Sequence, residues 1–216
     1  RKAPTFRHKA YEAYKAGRHE TPQELLTQFP FAKQCAQALG FHVIEMDGYE
    51  ADDVLGTCAN MAEKENVHTY LLTGDRDALQ LISDKTTVLL ATNRDTLSFT
   101  PETFRETYGI APAQFVDVKA LMGDSSDNIP GVRGIGEKTA LKLLAQYGTL
   151  DNVLAHAQEI PGKLGEKLRA GREVALMSRE LGTICTNAPL KMDWASCRWD
   201  GLAGGLPALE RYELKS

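Results

Sequence analysis

With 216 residues, 43% of them hydrophobic and 25% charged, the chain is long enough to bury one large core or two small ones. Its apolar runs are only a few residues long, which excludes a transmembrane helix, and Arg1–Lys15 is too basic and polar to read as a secretory signal. The net charge of −4 is unevenly placed: residues 1–44 carry +4, residues 45–128 carry −10 and residues 129–216 carry +2, so basic flanks leave room for a phosphate-bearing partner.

Thr21-Pro22-Gln23-Glu24 reads as a helix start, with Thr21 as cap and Pro22 at the first helical position. Apolar positions from Leu25 to Leu39 follow at helical spacing, with a break or kink at Pro30 and an end at Gly40. A strand at His42–Met46, a helix at Ala51–Lys64 and a second strand at Thr69–Leu72 come next. A short helix at Asp77–Ile82 leads to a third strand at Thr86–Leu90. Strands alternating with helices predict a parallel sheet covered on both faces, with ligands beyond the carboxyl ends of its strands. Past residue 100 the strand signals stop, and helices are predicted at Pro101–Tyr108, Pro112–Met122, Glu137–Tyr147, Leu150–Ala157 and around Lys163–Met177. Trp194, Trp199 and Phe115 read as core residues. The cysteines (35, 58, 185 and 197) and five histidines are scattered without a Cys-x-x-Cys pair, which reads as reduced thiols in a cytoplasmic protein and not as a zinc site.

Seven carboxylates gather in three short clusters: Glu50, Asp52 and Asp53; Asp75 and Asp77; Asp124 and Asp127. The first two follow apolar, strand-like runs and so fall at the expected ligand edge of the sheet. Gathered like charges repel, and hard divalent cations such as Mg²⁺ relieve that with oxygen ligands. A second feature is the glycine-rich turn Gly131–Gly136, which opens directly into a helix beginning at Glu137. Glycines let backbone approach a phosphate, and a helix N-terminus offers free N–H groups. The turn lacks the spacing of a P-loop; a helix–glycine hairpin–helix of this kind suits the backbone of duplex DNA without sequence reading.

Gly48-Tyr49-Glu50-Ala51-Asp52-Asp53, Thr73-Gly74-Asp75-Arg76-Asp77 and the run from Gly123 to Val132 resemble the metal-binding motifs of the flap endonuclease, or 5′-nuclease, superfamily. Gly134-Ile135-Gly136-Glu137-Lys138-Thr139-Ala140 matches the hairpin of its bacterial polymerase-associated branch. Thr5-Phe6-Arg7-His8 and Tyr14-Lys15-Ala16-Gly17-Arg18 are similar to its basic helical gateway. The resemblance runs from about Lys2 to about Leu190, four ordered motifs in one chain.

It implies an α/β, parallel-sheet nuclease core of PIN or 5′-nuclease type over residues 1–122 and a helical subdomain with a helix-hairpin-helix motif over residues 123–216. It also implies a structure-selective 5′-3′ nuclease cutting 5′-flap or nicked DNA in replication and repair, as in Okazaki fragment processing. Glu50, Asp52, Asp53, Asp75, Asp77, Asp124 and Asp127 would hold two or more Mg²⁺ or Mn²⁺ ions. Lys15, Arg7 and Arg18 would neutralise the scissile phosphate region, and Tyr14 could stack on a base. Arg133, Gly134, Ile135, Gly136, Lys138 and Thr139 would grip duplex DNA, with K⁺ possible at the hairpin.

Two further aspartates of the family lie upstream of its Thr-Phe-Arg motif, where this chain has only Arg1 to Pro4, so the opening strand and its ligands are expected on a longer polypeptide fused to a polymerase. A monomer in the bacterial cytoplasm at the nucleoid, without membrane contact, is the matching expectation. The alternatives are a non-catalytic DNA-binding fragment with an incomplete metal site and a small-molecule phosphatase on a similar sheet.

Overall fold

The computed structural model describes residues 4–18, 20–199 and 205–211, with Leu206 and Ala208 described in backbone only. In chain order the elements are α1 (Phe6–Ala10), α2 (Gln23–Ala38), α3 (Ala51–Lys64), β1 (Thr69–Thr73), β2 (Thr86–Ala91), β3 (Thr96–Phe99) and α4 (Pro101–Tyr108). There follow α5 (Phe115–Met122), α6 (Glu137–Tyr147), α7 (Leu150–Ala155), α8 (Gly162–Ala170), α9 (Arg172–Gly182) and α10 (Leu206–Arg211). Short 3₁₀ turns occupy Arg76–Leu81, Pro112–Gln114 and His156–Gln158. The elements fall into two compact units, Arg1–Arg18 with Asp47–Ala188, and His19–Met46 with Pro189–Ser216.

The larger unit is built on a three-stranded sheet with β2 at its centre. β1 runs parallel to β2, with Leu71 opposite Val88, and β3 runs antiparallel, with Phe99 opposite Val88. Central position explains why β2 is buried along most of its length, whereas β3 buries only Phe99. β3 corrects the expectation of an all-parallel sheet. Its Thr-Leu-Ser-Phe run alternates polar and apolar residues over only four positions, and it pairs where Thr92 and Asp95 close a tight turn, Thr92 N–H donating to Asp95 O at 2.8 Å. Phe104 on α4, Phe115, Val118 and Leu121 on α5, and Leu143 and Leu144 on α6 join the strand residues in one continuous core. Leu150, Val153 and Leu168 extend it through α7 and α8. Phe104 and Phe115 meet edge to face, ring centroids 5.5 Å apart.

Helix boundaries follow local chemistry. Thr100 caps α4 ahead of Pro101, exchanging bonds with Thr103, and Gly109 ends that helix at φ +70°. The basic segment expected as one helix is two, α8 and α9, hinged at Gly171. A Cβ there would lie 2.7 Å from Val132 Cγ1, so the hinge packs tightly on the glycine-rich turn that holds Val132.

In the smaller unit α2 runs through Pro30, and Pro22 stands at its N-cap without a side-chain cap bond, so Thr21 does not cap it. The helix closes with paired bonds, Gly40 N–H to Gln37 O and Phe41 N–H to Ala36 O. The expected strand at His42–Met46 is absent: these residues are irregular, and the described residues offer them no neighbouring strand for a ladder. Trp199 stacks on Phe41 with centroids 5.7 Å apart and donates to Leu39 O, but Trp194 and Trp199 remain 37% and 50% exposed instead of joining a core. No helix among the described residues is long and apolar enough to cross a membrane.

Candidate metal centre

The third acidic cluster sits on a loop bent back on itself. Asp124 and Ile129 exchange both backbone hydrogen bonds at 2.8 Å, which closes a tight loop that leaves Ser125, Ser126 and Asn128 exposed and Asp127 buried. Gly123 (φ +77°) and Gly131 (φ +60°) allow the two ends of this loop to touch: a Cβ on Gly131 would fall 2.1 Å from Gly123 N. Asp124 Oδ1 then accepts from the Ser126 amide at 2.8 Å and hydroxyl at 2.7 Å. The second cluster begins a 3₁₀ turn, where Asp75 Oδ1 accepts from Asp77 N–H at 2.9 Å. These two loops bring Asp77, Asp124 and Asp127 together, with one oxygen of each within 4.8 Å of the others. Such a set of hard oxygen donors fits a divalent cation.

The segment 11–18 is stitched to the same loop. Lys15, in the left-handed region at φ +58°, donates its N–H to Asp127 O at 2.8 Å, and Asn128 Nδ2 donates to Ala13 O at 2.7 Å. Lys15 Nζ lies 2.6 Å from Glu50 Oε2 and 3.6 Å from Asp127 Oδ2. Arg18 pairs with Asp127 and donates from Nε to Ser126 O at 3.0 Å, while half its side chain stays exposed. Glu50, Asp127, Lys15 and Arg18 thus form one charged edge beside the carboxylate trio.

Charge crowding is visible in the ionisation of the group. Burial, then the charges of Asp75, Asp77 and Glu50, push Asp52 up to about 6. Burial also raises Asp77 against the lowering effect of Lys119. For Asp124 burial acts upward too, but hydrogen bonds from Lys119 and Ser126 outweigh it and hold the carboxyl at about 2.

Three expected roles change. Asp53 is fully buried, and its two oxygens accept four hydrogen bonds: two from Arg7 at 2.8 Å, and one each from the Glu50 and Cys185 amides at 2.9 Å. It holds α3 to the chain after α9, with no lone pair turned to the cluster. Arg7, expected at the phosphate, is its partner, 4% exposed, and also donates to Leu181 O and Thr183 O. Tyr14, expected to stack on a base, is 3% exposed with its hydroxyl 3.1 Å from Glu50 and 3.2 Å from Asp127, and burial with these anions raises it strongly.

Lys119 was not anticipated. It stands on α5 with its ammonium paired to Asp77 and 2.6 Å from Asp124 Oδ2, and these carboxylates outweigh burial to keep it charged. The signal in the sequence is a lone lysine amid Val116–Met122, an otherwise apolar helix apart from Asp117.

The glycine turn lies on the same unit. Arg133, Gly134, Gly136 and Lys138 are exposed, Thr139 is half-buried, and Ile135 is 4% exposed and packs in the core. Lys167 on α8, also unanticipated, donates to Gly134 O at 2.9 Å. Arg133, Gly134, Lys167 and Gly171 border a groove of about 660 Å³.

The sequence matches the family model described as 5′-3′ exonuclease, N-terminal resolvase-like domain over residues 1–109, and that of its C-terminal SAM fold over residues 110–203. It is 48% identical over 216 residues to a thermostable DNA polymerase I of Thermus thermophilus, covering all of this chain and 26% of the relative. It is 46% identical over 200 residues to DNA polymerase I of Bacillus subtilis, covering 91% of this chain and 23% of the relative. The chain thus spans about a quarter of the length of these relatives. Among solved structures, T5 5′-exonuclease with divalent zinc ions superposes with a TM-score of 0.70 at 26% identity, covering 85% of this chain and 71% of that one. A T5 flap endonuclease in a pseudo-enzyme-product complex with DNA and metal ions gives 0.70 at 26% identity over 98% and 81% of the two chains. The catalytic core of Rad2 with DNA substrate gives 0.62 at 15% identity over 97% and 70%, a likeness of fold. On both its halves, and with neighbours of the same fold that carry divalent metal, this chain belongs to the 5′-3′ exonuclease family.

Proposed function

We propose that this chain is the 5′-nuclease part of a longer polymerase I-like protein, hydrolysing phosphodiester bonds of 5′-flap or nicked DNA in replication and repair. The observation that carries this reading is the carboxylate trio Asp77, Asp124 and Asp127 beside the basic edge of Lys15 and Arg18. Glu50, Asp52 and Asp75 complete the set that would hold Mg²⁺ or Mn²⁺ in two positions. Bound there, the ions would lower the pKa of a water and stabilise the leaving oxygen. Lys15 and Arg18 would draw the scissile phosphate toward the carboxylates and orient it. Asp53, Arg7 and Tyr14 would act through Glu50, holding it in place.

No side chain caps α6 at Gly136, so its first N–H groups and positive end suit a phosphate of the duplex. Arg133, Lys138 and Thr139 would add contacts there, with Ile135 anchoring the turn from below and K⁺ as a possible bridge to phosphate. This reading divides the labour between a nuclease core over residues 1–122 and a duplex-gripping helical part over residues 123–216. It further takes the protein as a monomer working at the nucleoid.

The test is Mg²⁺-dependent cleavage of a 5′-flap substrate by this chain and by the longer protein. Asp77→Ala and Asp124→Ala should each abolish product while leaving DNA binding in place. Cleavage unaffected by either would overturn the metal assignment, and DNA binding without cleavage by the longer protein would favour a non-catalytic module.

A further inference from the structure

Lys119 occupies the place where a cation belongs. Its ammonium bridges Asp77 and Asp124, two of the three carboxylates of the trio, and the side chain is only 10% exposed. The stem reaches this point past Gly182, where a Cβ would lie 3.1 Å from Lys119 Cδ, so it packs closely against the glycine at the end of α9. A Mg²⁺ ion sits about 2.1 Å from its carboxylate oxygens. Such an ion on Asp124 Oδ2 would therefore lie within ~4.7 Å of the Lys119 ammonium. One lysine and one divalent ion on the same two oxygens repel strongly at that separation in a partly buried site.

We infer that Lys119 is an internal counter-ion that competes with divalent metal for the Asp77–Asp124 pair, and that it must leave at least one of the two when metal binds. It is a positioning residue: it keeps the carboxylates close before metal arrives and sets how tightly metal is held there. Space for the displaced ammonium adjoins the pair, in a cleft of about 280 Å³ bordered by Asp75, Arg76, Phe115, Met122 and Ser126. The inference rests on the metal reading of this cluster.

Mn²⁺ titrated into the full chain without DNA, with free Mn²⁺ followed by electron paramagnetic resonance, tests it. Lys119→Met should tighten the strongest site about tenfold or more, because a competing charge is gone, and Lys119→Arg should stay near wild type. An unchanged or weaker Kd for a folded Lys119→Met protein would overturn the inference. A second measurement needs no variant: an amine-reactive reagent read by peptide mass spectrometry should label Lys119 of the wild-type chain several-fold faster with Mn²⁺ than without it. Equal or slower labelling also counts against it. Asp77→Asn separates the two layers. If Asp77→Asn loses Mn²⁺ while Lys119→Met does not gain it, the counter-ion idea alone fails; if neither changes Mn²⁺ binding, the metal reading fails with it.

Discussion

Asp52 and Asp53 are neighbours in the chain and meet opposite surroundings. Asp53 points inward and is satisfied by Arg7 and two amides, which outweigh burial and lower its pKa. Removing one member of a buried pair leaves the other uncompensated, so Asp53→Asn should cost about 3–5 kcal/mol in urea unfolding. Asp52 faces other carboxylates, and burial with their charges raises it to about 6, above the ordinary aspartate value near 3.9. The folded protein therefore binds a proton there that the unfolded chain gives up. That contribution is fully present below about pH 4 and is lost as pH rises through about 6. In chelator-treated protein, unfolding free energy should fall by on the order of 2 kcal/mol across that window, and Asp52→Asn should flatten the slope. A slope unchanged in Asp52→Asn would move the titration to another group.

Among the elements, those whose signals are local match expectation. Ala51–Lys64, Pro101–Tyr108 and Glu137–Tyr147 have the predicted ends, because caps, Pro101 and terminal glycines act within a single turn of chain. β3 lies outside the expected elements because it is only four residues long: Thr-Leu-Ser-Phe alternates, but so short a run carries little signal, and of its two apolar side chains only Phe99 is buried. The segment 42–46 departs in the other direction: a short, largely apolar run rich in β-branched residues is present, yet a strand also needs a partner. The loop between α5 and α6 is held by backbone contact at its glycines. Gly131→Ala puts a Cβ on Gly123 N and should destabilise by at least about 2 kcal/mol. Gly136→Ala, with ordinary φ and open space, loses only glycine's preference over alanine at the N-cap and should cost no more than about 1 kcal/mol. Urea midpoints of the two variants decide whether the loop is as tightly closed as drawn.

At the scale of the whole molecule, charge is divided along the chain between an acidic stretch, residues 45–128, and basic flanks. On the nuclease function proposed above, binding of flap DNA should weaken steeply with salt, since each phosphate contact releases counterions. Arg133→Ala and Lys138→Ala should each lower the log–log salt slope by about 1, with cleavage chemistry retained at saturating DNA. A slope indifferent to both would remove the glycine turn from the DNA interface. The sequence by itself determined the α/β class, the three carboxylate clusters and the glycine-rich turn that opens into a helix, because those depend on spacing within short windows. Only the tertiary structure decided which carboxylates meet. Asp77, Asp124 and Asp127 come from loops 47 to 50 residues apart, while Asp53, one residue from Asp52, is claimed by Arg7 from 46 residues away. Spacing along a chain says which side chains share an element, but the counter-charge each one finds is set by elements that pack from elsewhere, and that is how Lys119 came to sit among the aspartates.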